Sequence, residues 1–179
     1  LKSGLPIPNH WFVDALAIND VNAQQRFYSR DARERLALSV RDAVAPERVA
    51  RLERLHQGRN TYRLLRQIEL GKITLSELED ATVDLTFLGD ELTVACSREQ
   101  LKDASGRLLT HLEELIAEVL SQAEVTPDSI YLTGGMARSV VVRDHLERVC
   151  DGIPLVDSDH FAAVTSGLTI YAARYFAGQ

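Results

Sequence analysis

The spacing of hydrophobic and polar residues divides the chain into a helical first half and a mixed second half. From His10 to about Glu77, apolar residues recur every three or four positions, which is typical of amphipathic helices. Asn19-Asp20 and Pro46 are typical helix starts, and Gly58 follows a typical helix end. The pattern therefore predicts helices near 11–17, 20–29, 31–44, 46–57 and 59–77.

Alternation of apolar and polar residues replaces the helical period after residue 80. Apolar side chains occupy every second position from Val83 to Phe87 and again from Leu92 to Cys96, with Gly89-Asp90 between the two runs. This pattern predicts a β-hairpin. Ser97 and Gln100 then form a capping-box pattern that opens a long helix to about Glu124. The apolar stripe of that helix is predicted to contain Leu101, Leu108, Leu112, Leu115 and Val119.

The last third of the chain alternates short strands with helices. A strand is predicted at 130–132, a helix at 139–150, a strand at 153–156 and a closing helix at about 160–176, with Asp159 as its N-cap. The predicted fold class is α/β: residues 1–96 form a mainly helical outer subdomain with the hairpin, and 97–179 form part of an α/β inner subdomain. An α/β layer normally needs more strands than these. Because the chain also begins at Leu1, we expect it to be a piece of a longer protein.

Composition excludes several classes of function. The net charge is −6 and no basic run is present, which argues against nucleic acid as a partner. No signal peptide or membrane-spanning apolar run is found. Cys96 and Cys150 form no CxxC motif, which is typical of reduced thiols in a cytoplasmic protein. The five histidines never fall at metal-ligand spacing, so no metal site is predicted.

The most informative stretch is IYLTGGMAR, residues 130–138. A predicted strand ends here, Gly134 and Gly135 follow, and helical spacing resumes at Ser139. Without Cβ atoms the backbone can approach a ligand closely, and amide groups at the start of a helix bind phosphate. The alternative is a tight strand-to-helix turn with no ligand. Arg138 is suited to stacking on an aromatic base, or it is simply solvated.

A second candidate lies on the helix predicted at 59–77. Glu69, Lys72 and Ser76 are spaced three and four apart and therefore share one face. Such groups can hydrogen-bond a ribose and a base edge. The alternative is an exposed ion pair between Glu69 and Lys72. No nucleophile–base set, P-loop or GxGxxG motif is present, so no catalytic residue is predicted. Asp151, Asp157 and Asp159 are expected to cap and solvate the last helix rather than to bind a cation.

Taken in order, these motifs resemble the end of the nucleotide-binding domain of DnaK-type (Hsp70) heat-shock chaperones, in the actin-like ATPase superfamily. The stretches WFVDALAINDVNAQQRFYS, YRLLRQIELGKITLS, IYLTGGMARS and GIPLVDSDHFAAVTSGL resemble the bacterial YegD group of putative chaperones more closely. The resemblance covers nearly the whole chain. It implies that the chain corresponds only to the C-terminal portion of such a nucleotide-binding domain. It implies a partial actin-like domain that binds ATP or ADP.

Residue roles follow from the resemblance position by position. Glu69 and Lys72 would contact the ribose and Ser76 the adenine, while Gly134 and Gly135 would hold the phosphates and Arg138 would stack on the base. The chain departs from the family at two positions: Ile73 stands where an arginine usually closes the other side of the base, and Met136 where serine is common. Mg²⁺ would be ligated mainly by the N-terminal lobe, which the resemblance puts upstream of Leu1.

The resemblance implies a chaperone whose parent protein is an ATPase, with unfolded proteins and co-chaperones as partners. The 179 residues alone are expected to lack ATPase activity, and the missing strands are expected to leave an apolar edge that self-associates. Two alternatives remain open. One is another actin-like enzyme, such as a small-molecule kinase. The other is a non-catalytic interaction module, which Ile73 and Met136 would suit.

Overall fold

The computed structural model describes residues 1–123, 125–157 and 163–177. Helices dominate the first half, and short strands alternate with helices in the second. The helices are α1 (Asn9–Leu16), α2 (Val21–Phe27), α3 (Arg30–Asp42), α4 (Pro46–Gln57), α5 (Thr61–Glu77), α6 (Arg98–Gln122), α7 (Val140–Val149) and α8 (Ala163–Ala177). The strands are β1 (Asp80–Asp84), β2 (Thr93–Ser97), β3 (Ile130–Leu132) and β4 (Leu155–Asp157). The predicted α/β fold class is confirmed.

The described residues form two compact units. Unit 1 contains residues 1–71 and 82–95, and unit 2 contains residues 72–81 and 96–179. Helix α5 and the β1–β2 sheet contribute residues to both units. The sequence prediction divided the chain after residue 96, whereas residues 72–81 here group with the second unit.

Unit 1 packs α1 to α4 around one apolar cluster. Helix α3 packs against α4, and buried side chains from several elements meet in the cluster: Ala15, Phe27, Leu36, Leu52, Leu55 and Leu88. Local signals set the helix starts. The Asp20 carboxylate accepts the amide hydrogens of Asn22 and Ala23, and Pro46 occupies the first turn of α4.

Unit 2 is built around a parallel strand pair. β3 and β4 align with Ile130 opposite Leu155 and Leu132 opposite Asp157, and α7 lies in the connection between them. Leu132, Ala137 and Leu146 form the buried cluster. The capping box between Ser97 and Gln100 is present at the start of α6, as predicted.

Helix α6 buries only part of the predicted face. Leu108, Leu115 and Val119 are exposed, so the predicted stripe is wrong at these positions. Leu112 packs against the unit 2 cluster, as predicted, but its neighbours on the buried side of the helix are Leu109 and Ile116 rather than Leu108 and Leu115. Both sets repeat at helical spacing, so the sequence contained two candidate stripes and packing selected one of them.

The hairpin differs from the prediction in its turn. β1 ends at Asp84, and residues 86–88 form a 3₁₀ turn rather than continuing the strand. The Leu85 amide donates to the Leu92 carbonyl at 2.9 Å and closes the connection. A connection this short joins antiparallel strands, because a parallel pair needs a longer crossover. Several other boundaries shift by about two residues; α5, for example, starts at Thr61 and β4 at Leu155. The predicted Asp159 cap lies outside the described residues.

Candidate functional site

Helix α5 carries four of the predicted site residues: Glu69, Lys72, Ile73 and Ser76. The Glu69 carboxylate accepts a hydrogen bond from Arg66 Nη1 at 3.0 Å, and both side chains are more than half exposed. The partner of Glu69 is therefore Arg66, one turn earlier, and not Lys72. An exposed pair of this kind contributes only about 0.2–0.5 kcal/mol.

Lys72 reaches the segment that follows the two glycines. Its Nζ lies 3.9 Å from Met136 Sδ, although the two residues are 64 positions apart. Both belong to unit 2. A thioether is a weak hydrogen-bond acceptor, so this contact leaves the donor capacity of the ammonium group largely unused. The Ser76 hydroxyl donates to the Lys72 carbonyl at 3.2 Å, and the Ile73 side chain is half exposed.

The two glycines form an open turn. Gly134 has φ = +85°, a conformation that strains any residue with a Cβ atom. A Cβ atom added at Gly134 or Gly135 would meet nothing within 4 Å. The amides of Gly134, Gly135 and Met136 donate to no acceptor in the part of the chain that the structure describes. The backbone here is therefore accessible to a ligand that accepts hydrogen bonds.

The helix predicted at 139–150 is confirmed to within one residue at each end, and a 3₁₀ turn separates it from the glycines. Residues 135–138 form one 3₁₀ turn, Ser139 is extended, and α7 begins at Val140. The open amides of the glycine segment therefore lie at this 3₁₀ turn rather than in the first turn of α7, and the phosphate seat stays a prediction. Arg138, in the same turn, is exposed.

Arg98 holds the end of α5 in unit 2, a role that the sequence reasoning missed. Its guanidinium donates to the carbonyls of Leu75 and Leu78 at 2.8 and 2.9 Å and pairs with Glu79. Carbonyls in the last turn of a helix lack partners within the helix, and a cation there is favoured. Arg98 therefore positions the helix segment that carries Lys72 and Ser76. The only indication of this role in the sequence was an arginine directly after the Ser97 cap.

The remaining polar candidates have structural roles. Asp157 pairs with Arg143. No group of three or more His, Cys, Asp or Glu residues that could hold a metal ion occurs among residues 1–123, 125–157 and 163–177. Both cysteines are free, and burial raises the pKa of the Cys150 thiol, which makes it a poor nucleophile.

The arrangement of elements around the site indicates the class of domain, and a family comparison then identifies the family. A helical region precedes a parallel βαβ unit, and two glycines follow its first strand; this is the architecture of a partial α/β domain. The family model for Hsp70 protein matches residues 45–176, well over half of the 179 residues. The chain therefore belongs to the Hsp70 family, and the resemblance seen in the sequence is confirmed at that level. It represents part of an Hsp70-like chaperone ATPase. No helix in the described ranges is long and apolar enough to cross a membrane.

Proposed function

We propose that the chain is the adenine-nucleotide-binding portion of a cytoplasmic Hsp70-like ATPase of the YegD group, and that it forms the C-terminal part of that ATPase domain. The observation that carries the proposal is the contact between Lys72 and Met136, which joins two stretches that were separate candidates in the sequence. Nothing local to either stretch requires them to meet. A ligand bound by both stretches would explain why they lie together.

The proposed site has a polar side and a backbone side. Lys72 donates to the ribose hydroxyls, and Glu69 accepts from them, as the resemblance implies. Ser76 retains acceptor lone pairs for the base edge, since its own hydrogen is used on the Lys72 carbonyl. The exposed Ile73 offers an apolar surface to one face of the adenine, and Arg138 stacks on the other.

The turn at Gly134 and Gly135 binds the phosphates through its backbone. Support comes from the open space beside both glycines and from their unpartnered amides within the described residues. The Hsp70 family implies Mg²⁺ with the nucleotide, where it would neutralise phosphate charge. Because no cluster of metal-ligating side chains occurs in the described ranges, we assign none of its ligands to this chain. The proposed partners are adenine nucleotide, unfolded proteins and co-chaperones.

ATP titration calorimetry on the protein that contains this chain tests the proposal. Lys72→Ala should weaken ATP binding by about 1–2 kcal/mol, the scale of a hydrogen bond to a charged group. Ile73→Arg should strengthen it by about 0.5–1 kcal/mol by restoring a planar cation against the base. Lys102→Ala is the matched control, because it removes an exposed lysine from α6 and should leave the affinity unchanged.

The phosphate side requires a control for backbone strain. Gly134→Val should abolish ATP binding, because the side chain fills the open turn and strains a positive φ. Gly152→Val introduces the same strain at φ = +81° in a different turn with equally open surroundings, and it should preserve binding. If Lys72→Ala and Ile73→Arg both leave ATP affinity unchanged, the nucleotide proposal fails and a non-catalytic interaction module takes its place.

A further inference from the structure

A cavity of about 480 Å³ lies in unit 1, and no residue of the proposed nucleotide site lines it. It is formed where the start of α3 approaches the end of α4. Seven of the described residues line it, of which four are basic and none is acidic; the basic ones are Arg30, Arg33, His56 and Arg59. The chain as a whole has a net charge of −6, so the cavity is a locally positive region of a negatively charged protein.

His56 is the most buried of these residues, and its ring nitrogens have no hydrogen-bond partner of acceptable geometry among the described residues. The residue is only 7% exposed. The rings of Phe27 and Tyr28 lie 5.5 and 5.6 Å from the imidazole. Burial lowers the pKa of His56, and the positive charges of Arg33 and Arg59 lower it further. The nearby Ser29 carbonyl and the charge of Glu53 raise this pKa. Burial favours the uncharged imidazole, which has one N–H donor, and a buried donor without a well-aligned acceptor needs an explanation.

Two of the three arginines at the cavity lack an ion-pair partner among the described residues. The Arg59 guanidinium lies over the Tyr28 ring at 5.2 Å, and its backbone has φ = +51°. Arg30 pairs with Glu34. Neither Arg33 nor Arg59 has an ion-pair partner within the described residues. Two guanidinium groups and one imidazole N–H therefore line one cavity with unused donors.

We propose that this cavity binds a phosphate group, free or carried by a small molecule, through His56, Arg33 and Arg59. The volume falls within the range of small-ligand pockets. Phosphate suits the cavity better than a single carboxylate, because its terminal oxygens can accept from several converging donors at once. Guanidinium groups bind such oxygens in a bidentate manner.

Histidine NMR on the 179-residue chain tests the site, with titration by inorganic phosphate or glycerol phosphate at constant ionic strength. The His56 ring signals should shift and saturate with either probe, and bound phosphate should raise the pKa of His56 because a dianion favours the protonated ring. His111, on α6, should not respond. Tighter binding of glycerol phosphate assigns the site to a phosphorylated small molecule, and binding of inorganic phosphate alone assigns it to the free ion. Both outcomes support a phosphate site.

Variants separate specific binding from charge screening. Arg33→Gln and Arg59→Gln should each weaken phosphate binding at least fivefold. Arg41→Gln makes the same charge change on α3 without lining the cavity, and its effect should stay below twofold. His56→Phe preserves an aromatic ring against Phe27 and Tyr28, so the protein should melt at the same or a higher temperature while phosphate binding is lost.

Three results would overturn the proposal. The first is a response that never saturates, and the second is an equal loss of binding in Arg33→Gln and Arg41→Gln. The third is a folded His56→Phe variant that binds phosphate as tightly as the original chain. The last result is decisive, because removal of the ring nitrogens must matter if they bind the ligand.

Discussion

Gly71 provides a sharp test of how α5 packs. This glycine is buried in the middle of the helix, where it costs about 1 kcal/mol relative to alanine. A Cβ atom at Gly71 would lie 2.8 Å from Val83 Cγ2 on β1, which is closer than real Cβ contacts. Valine is stiff at χ1, so this methyl group cannot swing away freely. The glycine therefore allows a close approach of strand to helix.

The expected magnitudes follow from two opposing terms. Gly71→Ala gains about 1 kcal/mol of helix propensity and loses about 1–3 kcal/mol to overpacking, so it should destabilise the protein by up to about 2 kcal/mol. In a Val83→Ala background the obstructing methyl is absent, and the same change should stabilise by about 1 kcal/mol. Gly106→Ala on α6 is the control, because its Cβ would meet nothing within 4 Å. It should stabilise by about 1 kcal/mol in any background.

Urea unfolding measures these differences. Trp11 is the only tryptophan and lies in unit 1 with Gly71 and Val83, so its fluorescence reports on the relevant unit, while circular dichroism follows Gly106→Ala. The reasoning is refuted if Gly71→Ala alone stabilises the protein as much as Gly106→Ala does. That result would mean that Val83 moves aside at no cost.

Three further predictions concern acid stability, activity and association. The hydrogen bond and charge of Arg26 hold the pKa of the buried Asp14 carboxyl below its usual value. The pair therefore stabilises the fold above about pH 3.9, and this contribution is lost as the pH falls through the lowered pKa. Acid unfolding of Asp14→Asn should lack that pH-dependent loss. The 179-residue chain should release no phosphate from ATP, since the resemblance puts the loops that position metal and water upstream; release above background that Gly135→Asp abolishes would contradict this. Light scattering should detect self-association at high concentration, because Tyr131 on β3 is 68% exposed, and Tyr131→Lys should reduce it; a strict monomer would count against the idea.

Local patterns in the sequence determined most of the secondary structure. The helical period, the Asp20 cap and Pro46 predicted the first helices to within about two residues. The Ser97–Gln100 capping box and the requirement for glycine at position 134 were equally local. Each of these signals depends on the conformation of a few consecutive residues, and the sequence alone specifies that conformation well.

Only the tertiary structure decided which surfaces and residues meet. α6 carries two apolar stripes, and packing in unit 2 buried Leu109 while leaving Leu108 exposed. The contact between Lys72 and Met136 spans 64 residues, and no local pattern requires it. The cavity around His56 had no sequence signal either, because its arginines come from α3 and from the segment after α4. Periodicity specifies a face on each helix, but contacts between distant residues depend on how those faces pack against one another.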